Sequence, residues 1–130
     1  MVSRAKDWFK QAVRDLEQAE DSGSAGRHEW ACFAAQQAAK EATVSLHRSF
    51  GQKGRGKIIS SLLQQVPENF KVPIELIEKS KVLDNFYIPA RYPNSHPSGA
   101  PFEHYGPLQS ETAVNYAREI IDFVRTEMAK

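Results

Sequence analysis

The stretch Arg27–Ser49, RHEWACFAAQQAAKEATVSLHRS, decides the fold. Alanine recurs at Ala31, Ala34, Ala35, Ala38, Ala39 and Ala42, with neither proline nor glycine between them. Alanine is the best helix former, so the spacing predicts one helix from residue 27 to about 49, roughly 35 Å long at about 1.5 Å per residue. Small side chains let neighbouring helices come close, which marks this as the central helix of a bundle. Trp30, Phe33, Val44 and Leu46 add bulk, and Gly51 stops the helix. Cys32, set among alanines, reads as inert packing.

Working outward, Ala5, Trp8, Phe9, Ala12, Val13, Leu16 and Ala19 recur at three- and four-residue steps and predict an amphipathic helix over 3–21, capped by Ser3. The glycines and small polar residues of Asp21–Gly26 read as a turn. A short helix over 57–66 carries Ile58, Ile59, Leu62, Leu63 and Val66 and ends at Pro67. Another begins near Pro73 and runs to about Asn85, with Leu76, Ile77 and Leu83 inward. The last helix, 111–128, is expected to be capped by Ser110. Residues 86–109 hold five of the seven prolines, which no helix tolerates, and a loop this long inside one domain is usually functional. No segment alternates with period two. The expectation is an all-α fold: one domain over 1–130, an antiparallel up-and-down bundle of four to five helices with a long Pro-rich loop before the last. Trp8 and Trp30 are expected in the core, and His28 and His47 on the surface.

Composition narrows the function. At 130 residues, 41% hydrophobic and 25% charged, the chain is long enough for a core and too apolar for disorder. Seventeen basic against sixteen acidic residues leave a net charge of +1, so any anion site must be local. A single cysteine excludes an internal disulfide framework and a multi-cysteine metal site; His28 and His47 have no partner at ligand spacing, and neither metal nor cofactor is expected. No apolar run approaches the roughly 20 residues that cross a bilayer, and MVSRAKDWFK has no apolar signal core, so the expected compartment is the cytoplasm.

Two segments carry candidate chemistry. Gly51–Lys57 matches the G-x4-G-K half of a P-loop, but a helix precedes it and Ile58 stands where magnesium would need a hydroxyl. What remains is a solvated turn, or three cations, Lys53, Arg55 and Lys57, at a helix N-terminus with no acid nearby, able to attract phosphate. The second segment is FYIPARYPNSH, Phe86–His96, where Arg91 and His96 are separated by four residues. A guanidinium fork suits phosphate, and an imidazole titrates near neutrality. Together they are the least that metal-free RNA cleavage requires: a base for the 2′-hydroxyl proton and a cation for the charged transition state. Against this, Arg91 could pair with a helix C-terminus or an acid, and His96 could simply be solvated. Tyr87 and Tyr92 could stack on a base or anchor the loop, Asn94 could add a polar contact, and His104, with Tyr105, could line the same cleft.

The run Tyr87–Pro93, following Leu83–Asp84, resembles the signature of HEPN domains, named as higher-eukaryote and prokaryote nucleotide-binding domains. Ala5–Trp8 through Asp15, Leu16 and Ala19 is similar to that family's first helix, Trp30–Glu41 to its second, and the helix with Tyr116–Ala117 and Ile120–Ile121 to its last. The resemblance covers nearly the whole chain. It implies a helical bundle that forms a homodimer, with Arg91 and His96 of both subunits facing one cleft. It also implies binding of nucleotide or RNA, and for many members a metal-independent endoribonuclease in toxin–antitoxin or defence systems, often with a small nucleotidyltransferase as partner. The alternative is a non-catalytic dimerisation module that docks such a partner. The chain departs from the ribonuclease pattern at Tyr92, where active members carry a small polar residue, and at Ser98, where one subgroup carries a tyrosine that is adenylylated.

Overall fold

In the computed structural model, which describes residues 4–130, five α-helices form: α1 (Ala5–Ser24), α2 (His28–Ser49), α3 (Ile59–Gln64), α4 (Ile74–Asp84) and α5 (Pro107–Met128). Three single 3-10 turns, Glu68–Phe70, Pro93–Ser95 and Pro101–His104, lie between them, and the described residues include no strand. The all-α bundle is therefore observed. The cap expected at Ser3 lies outside the described residues.

The central role of α2 follows from its alanines. Ala31, Ala35, Ala38, Ala39 and Ala42 are fully buried, and the last four meet Ala12 and Ala19 of α1 and Ala113 and Ala117 of α5 in one apolar core. Leu46, Ile59, Leu63, Leu83, Ile120, Ile121 and Val124 fill the remaining space. Two contacts give the helix directions. His28 at the start of α2 bonds Ser110 near the start of α5 at 2.8 Å, and Ser45 near the end of α2 meets the Met128 sulfur at 3.5 Å. α2 and α5 thus run the same way and touch across the bundle, which larger side chains would prevent. α1 runs against both.

Five local expectations are corrected. The turn expected at Asp21–Gly26 begins later, because α1 continues through Gly23 to Ser24. Ser22 is buried, and a Cβ on Gly23 would lie 3.8 Å from both the Ala31 Cβ and the Ser110 Oγ, so packing against α2 and α5 holds a poor helix former in place. The chain then turns at Gly26, φ +80°, with Gly26 N–H donating to Gly23 and Arg27 N–H to Ser22, a Schellman motif. Gly51, φ +88°, closes α2 in the same way. At the other end, α5 starts one turn before Ser110: Pro107 occupies its first position, Gln109 Oε1 accepts the Gly106 N–H at 2.8 Å, and Ser110 is buried against His28. His47 is buried rather than on the surface, its Nε2 2.7 Å from the Leu62 carbonyl, because the loop at Gly54 folds over it. Trp30, expected in the core, is 48% exposed, since the buried face of α2 is taken by the alanines. Trp8 is half-buried, with the Arg48 guanidinium 5.7 Å from its ring centroid. No helix among the described residues is long and apolar enough to cross a membrane.

Candidate functional site

The Arg91 guanidinium sits in a cradle of three rings. Its Cζ lies 4.3 Å from the ring centroid of Phe33, 4.7 Å from that of Tyr87 and 5.0 Å from that of Tyr92. Phe33 comes from α2 and the tyrosines from the Pro-rich loop, so the cradle forms only when the loop packs on the central helix. The local backbone explains the aim of the side chain. Arg91 and Tyr92 both donate their N–H groups to the Ile88 carbonyl, at 3.0 and 3.2 Å, and Ala90 is buried beneath this turn. Arg91 Nε then donates to the Tyr87 carbonyl at 2.9 Å. The two terminal amines have no carboxylate or backbone carbonyl as partner among the described residues, so neither the acid nor the helix terminus that sequence allowed for Arg91 is its partner. A planar cation held at Nε and faced by aromatic rings keeps its fork for a ligand.

His96 is fastened to the same turn. Its Nε2 is 2.8 Å from the Pro89 carbonyl, two residues from the carbonyl that holds Arg91. A carbonyl only accepts, so Nε2 carries the proton and Nδ1 of the neutral ring is the basic nitrogen. The ring stacks on His104, centroids 4.1 Å apart, and meets the Tyr105 ring edge-on at 6.1 Å. Tyr105 in turn packs on Phe86, and burial, followed by the nearby Cys32, raises its phenol pKa. His96 is thus half-buried in a fixed orientation, not freely solvated, and no bond joins it directly to Arg91. Asn94 is exposed in the 3-10 turn between them.

The basic loop divides into two parts. Lys53 and Arg55 are exposed and line a cavity of about 950 Å³ together with His47, Phe50, Gln65 and Pro67; Arg91 and Tyr87 do not border it. Lys57 instead reaches the Arg91 cradle, its Nζ 5.5 Å from the Tyr87 ring centroid. The cause is Asp84, whose carboxylate accepts Ile59 N–H at 2.6 Å, Ser60 N–H at 3.2 Å and the Ser60 hydroxyl at 2.8 Å. That ties the start of α3 to the end of α4, two residues from Phe86. It also corrects the expectation of a helix start free of acid: Asp84 occupies it. The Tyr87 phenol records both cations. Desolvation pushes its pKa up, but the Lys57 charge and hydrogen-bonding contact with Arg91 and Lys57 outweigh this and lower it.

Sequence reasoning missed Phe33 and Asp84 as site residues. In sequence Phe33 reads only as bulk on the central helix and Asp84 only as part of the run that precedes Tyr87; the signals available are a large ring set among alanines and an acid at a helix end. A groove of about 400 Å³ continues from Phe33 past Trp30, Arg27 and Gln37, with Trp30 edge-on to Phe33 at 6.1 Å. Among the described residues no three His, Cys, Asp or Glu side chains are grouped to hold a metal ion.

Comparison with known proteins agrees with this architecture. The HEPN domain pattern matches residues 5–127. The chain is similar to the crystal structure of TT1696 from Thermus thermophilus, with 46% identity and a TM-score of 0.94 over 96% of this chain and 98% of that one. It is similar to ST0689, an archaeal HEPN homologue, at 36% identity and a TM-score of 0.83 over 98% and 99% of the two chains. An HEPN domain protein from Thermotoga maritima gives 30% identity and a TM-score of 0.78 over 95% and 98%. No curated protein matches.

Proposed function

The chain belongs to the HEPN domain family, and from that premise we propose that it binds a phosphate-bearing ligand, RNA or nucleotide, at a cleft that two copies of the chain form around Arg91 and His96. The observation that carries this reading is the Arg91 fork: an aromatic cradle holds it, Nε is spent on the backbone, and no carboxylate or backbone carbonyl among the described residues holds the terminal amines. Pairing of two copies is supported by the apolar surface beside it, where Trp30, Ile88 and Tyr92 are all more than two-fifths exposed. The setting is the cytoplasm.

The chemistry available to this site is metal-independent endoribonucleolysis, as in a toxin or defence effector. His96 Nδ1 takes the proton of an RNA 2′-hydroxyl, and the 2′-oxygen attacks the adjacent phosphorus. The bond from phosphorus to the 5′-oxygen breaks, that oxygen takes up a proton returned through solvent from the protonated His96, and a 2′,3′-cyclic phosphate remains. Arg91 stabilises the charge that builds on the phosphoryl oxygens. Cleavage of a short RNA in chelator tests it. Wild type cleaves, and Arg91→Ala and His96→Ala do not; full activity in His96→Ala would remove the proposed base.

One observation favours a second reading, a non-catalytic module that dimerises or docks a small nucleotidyltransferase. Tyr92 stacks on Arg91 where the ribonuclease pattern has a small polar residue. Under this reading the chelator assay shows no cleavage, and the same surface is protected when the partner binds.

A further inference from the structure

Two cations from distant parts of the chain flank one phenol. Lys57 Nζ is 5.5 Å and Arg91 Cζ 4.7 Å from the Tyr87 ring centroid. Neither is in an ion pair among the described residues, where every salt bridge involves other cations. The acid at the adjoining helix ends, Asp84, is committed to Ile59 and Ser60. Lys57 is exposed, and the backbone that follows it is held at two points: Gln36 Nε2 donates to the Lys57 carbonyl at 3.4 Å, and Asp84 accepts the Ile59 N–H. The ammonium is therefore brought to Tyr87 by the fold and not by a flexible tail.

We propose that Lys57, Tyr87 and Arg91 form a subsite for a terminal phosphomonoester, the phosphorylated end of a nucleotide or an RNA strand. The proposal rests on the reading of Arg91 as a phosphate ligand and adds what the subsite selects. An internal phosphodiester carries one charge and two free oxygens, which the Arg91 fork alone satisfies. A phosphomonoester carries about 1.5 to 2 negative charges near pH 7 and three free oxygens. The third oxygen and the second charge call for a further donor and a further cation, and Lys57 supplies both as a compact point charge. The Tyr87 hydroxyl, in hydrogen-bonding contact with both cations, is a third polar group for the same ligand. Lys53 and Arg55 lie on the other cavity and take no part.

Calorimetric titration in chelator separates the cases. The probes are adenosine monophosphate and three hexa-adenylates: unphosphorylated, 5′-phosphorylated and 3′-phosphorylated. To keep the strands intact they carry 2′-O-methyl groups. Wild type is expected to bind a phosphorylated strand roughly tenfold more tightly than the unphosphorylated one. Lys57→Met, which keeps the apolar stem over the ring, should lose that preference and bind all three alike; Lys57→Arg should restore it. Adenosine monophosphate binding as tightly as the phosphorylated strand assigns the end to a free nucleotide, and weaker binding assigns it to RNA; both support the subsite. Equal affinity of wild type for the three strands, or a preference that survives in Lys57→Met, overturns it while leaving Arg91 as a phosphate ligand. Failure of wild type to bind any probe, or affinity untouched by Arg91→Ala, overturns the underlying reading as well.

Discussion

His96 and His104 lie ring on ring, 4.1 Å between centroids and 5° between planes. Each ring is also held at its edge, His96 Nε2 at 2.8 Å from the Pro89 carbonyl and His104 Nε2 at 2.6 Å from that of Ser98. Gly99, φ +81°, permits the second of these, since a Cβ there would come within 3.2 Å of His104 Nε2. In the proposed reaction His104 thus positions His96. Misplacing a base by about 1 Å costs up to roughly 100-fold in rate. His104→Ala is expected to lower RNA cleavage by roughly ten- to a hundredfold, while His104→Phe, which preserves a flat surface, retains most of it. Equal loss in both variants would show that His104 acts through its nitrogens instead.

Phe33 makes the closest approach to the Arg91 guanidinium and also packs against Trp30 and Tyr87. Phe33→Leu keeps an apolar side chain and removes the π face, which contributes about 0.5–2 kcal/mol in such pairs. Anion affinity should fall several-fold with little change in melting temperature. A variant that binds as wild type does would mean that the backbone bond at Nε alone aims Arg91.

Asp84 joins α3 to α4 through three hydrogen bonds. Asp84→Ala leaves two N–H groups and a hydroxyl without their acceptor, at an expected cost of about 1–3 kcal/mol in urea unfolding. Amide exchange at Ile59 and Ser60 should quicken well beyond the global change. Uniform acceleration across the chain would make Asp84 a general stabiliser, not a local tie.

The bundle was legible because periodicity and alanine content are local properties, and α2 alone displays them along its whole length. What escaped was set by contacts between distant residues. Gly23 stays helical because Ala31 and Ser110 leave it no other place, and His47 is buried because Gly54 can fold across it. The site divides in the same way. Arg91 and His96 were readable from spacing within one loop and from the resemblance of that loop to a known family. The arrival of Phe33 from α2 and of Lys57 from beyond α2 depends on tertiary packing and on Asp84, which no local pattern announces.

Cys32 is fully buried, and burial, aided by the Glu29 carboxylate, pushes its thiol up to about 12. Only thiolate attacks alkylating reagents, so native protein at neutral pH should resist a maleimide until it unfolds. Labelling rates should rise with urea in step with the unfolding transition. Rapid labelling in the absence of denaturant would contradict the packing of α2.

Glu41 faces Asp15 across the α1–α2 interface, and its Oε1 is buried with no hydrogen-bond partner. Burial, then the hydrogen bond and charge of Asp15, raise its pKa to about 9 against a smaller opposing pull from Lys40. In the unfolded chain Glu41 ionises in the ordinary carboxylate range. Between those two values the folded state holds a proton that the unfolded state has released, so stability falls as pH rises. The contribution is fully present below about pH 4, declines through neutrality, and is lost once pH passes the folded pKa near 9. Glu41→Gln stays neutral throughout. Its urea midpoint should match wild type near about pH 4, exceed it at about pH 7, and exceed it further at about pH 8.5. Curves for the two proteins that run parallel across this range would show that Glu41 is ionised in the folded chain, with water or Lys40 reaching the buried oxygen.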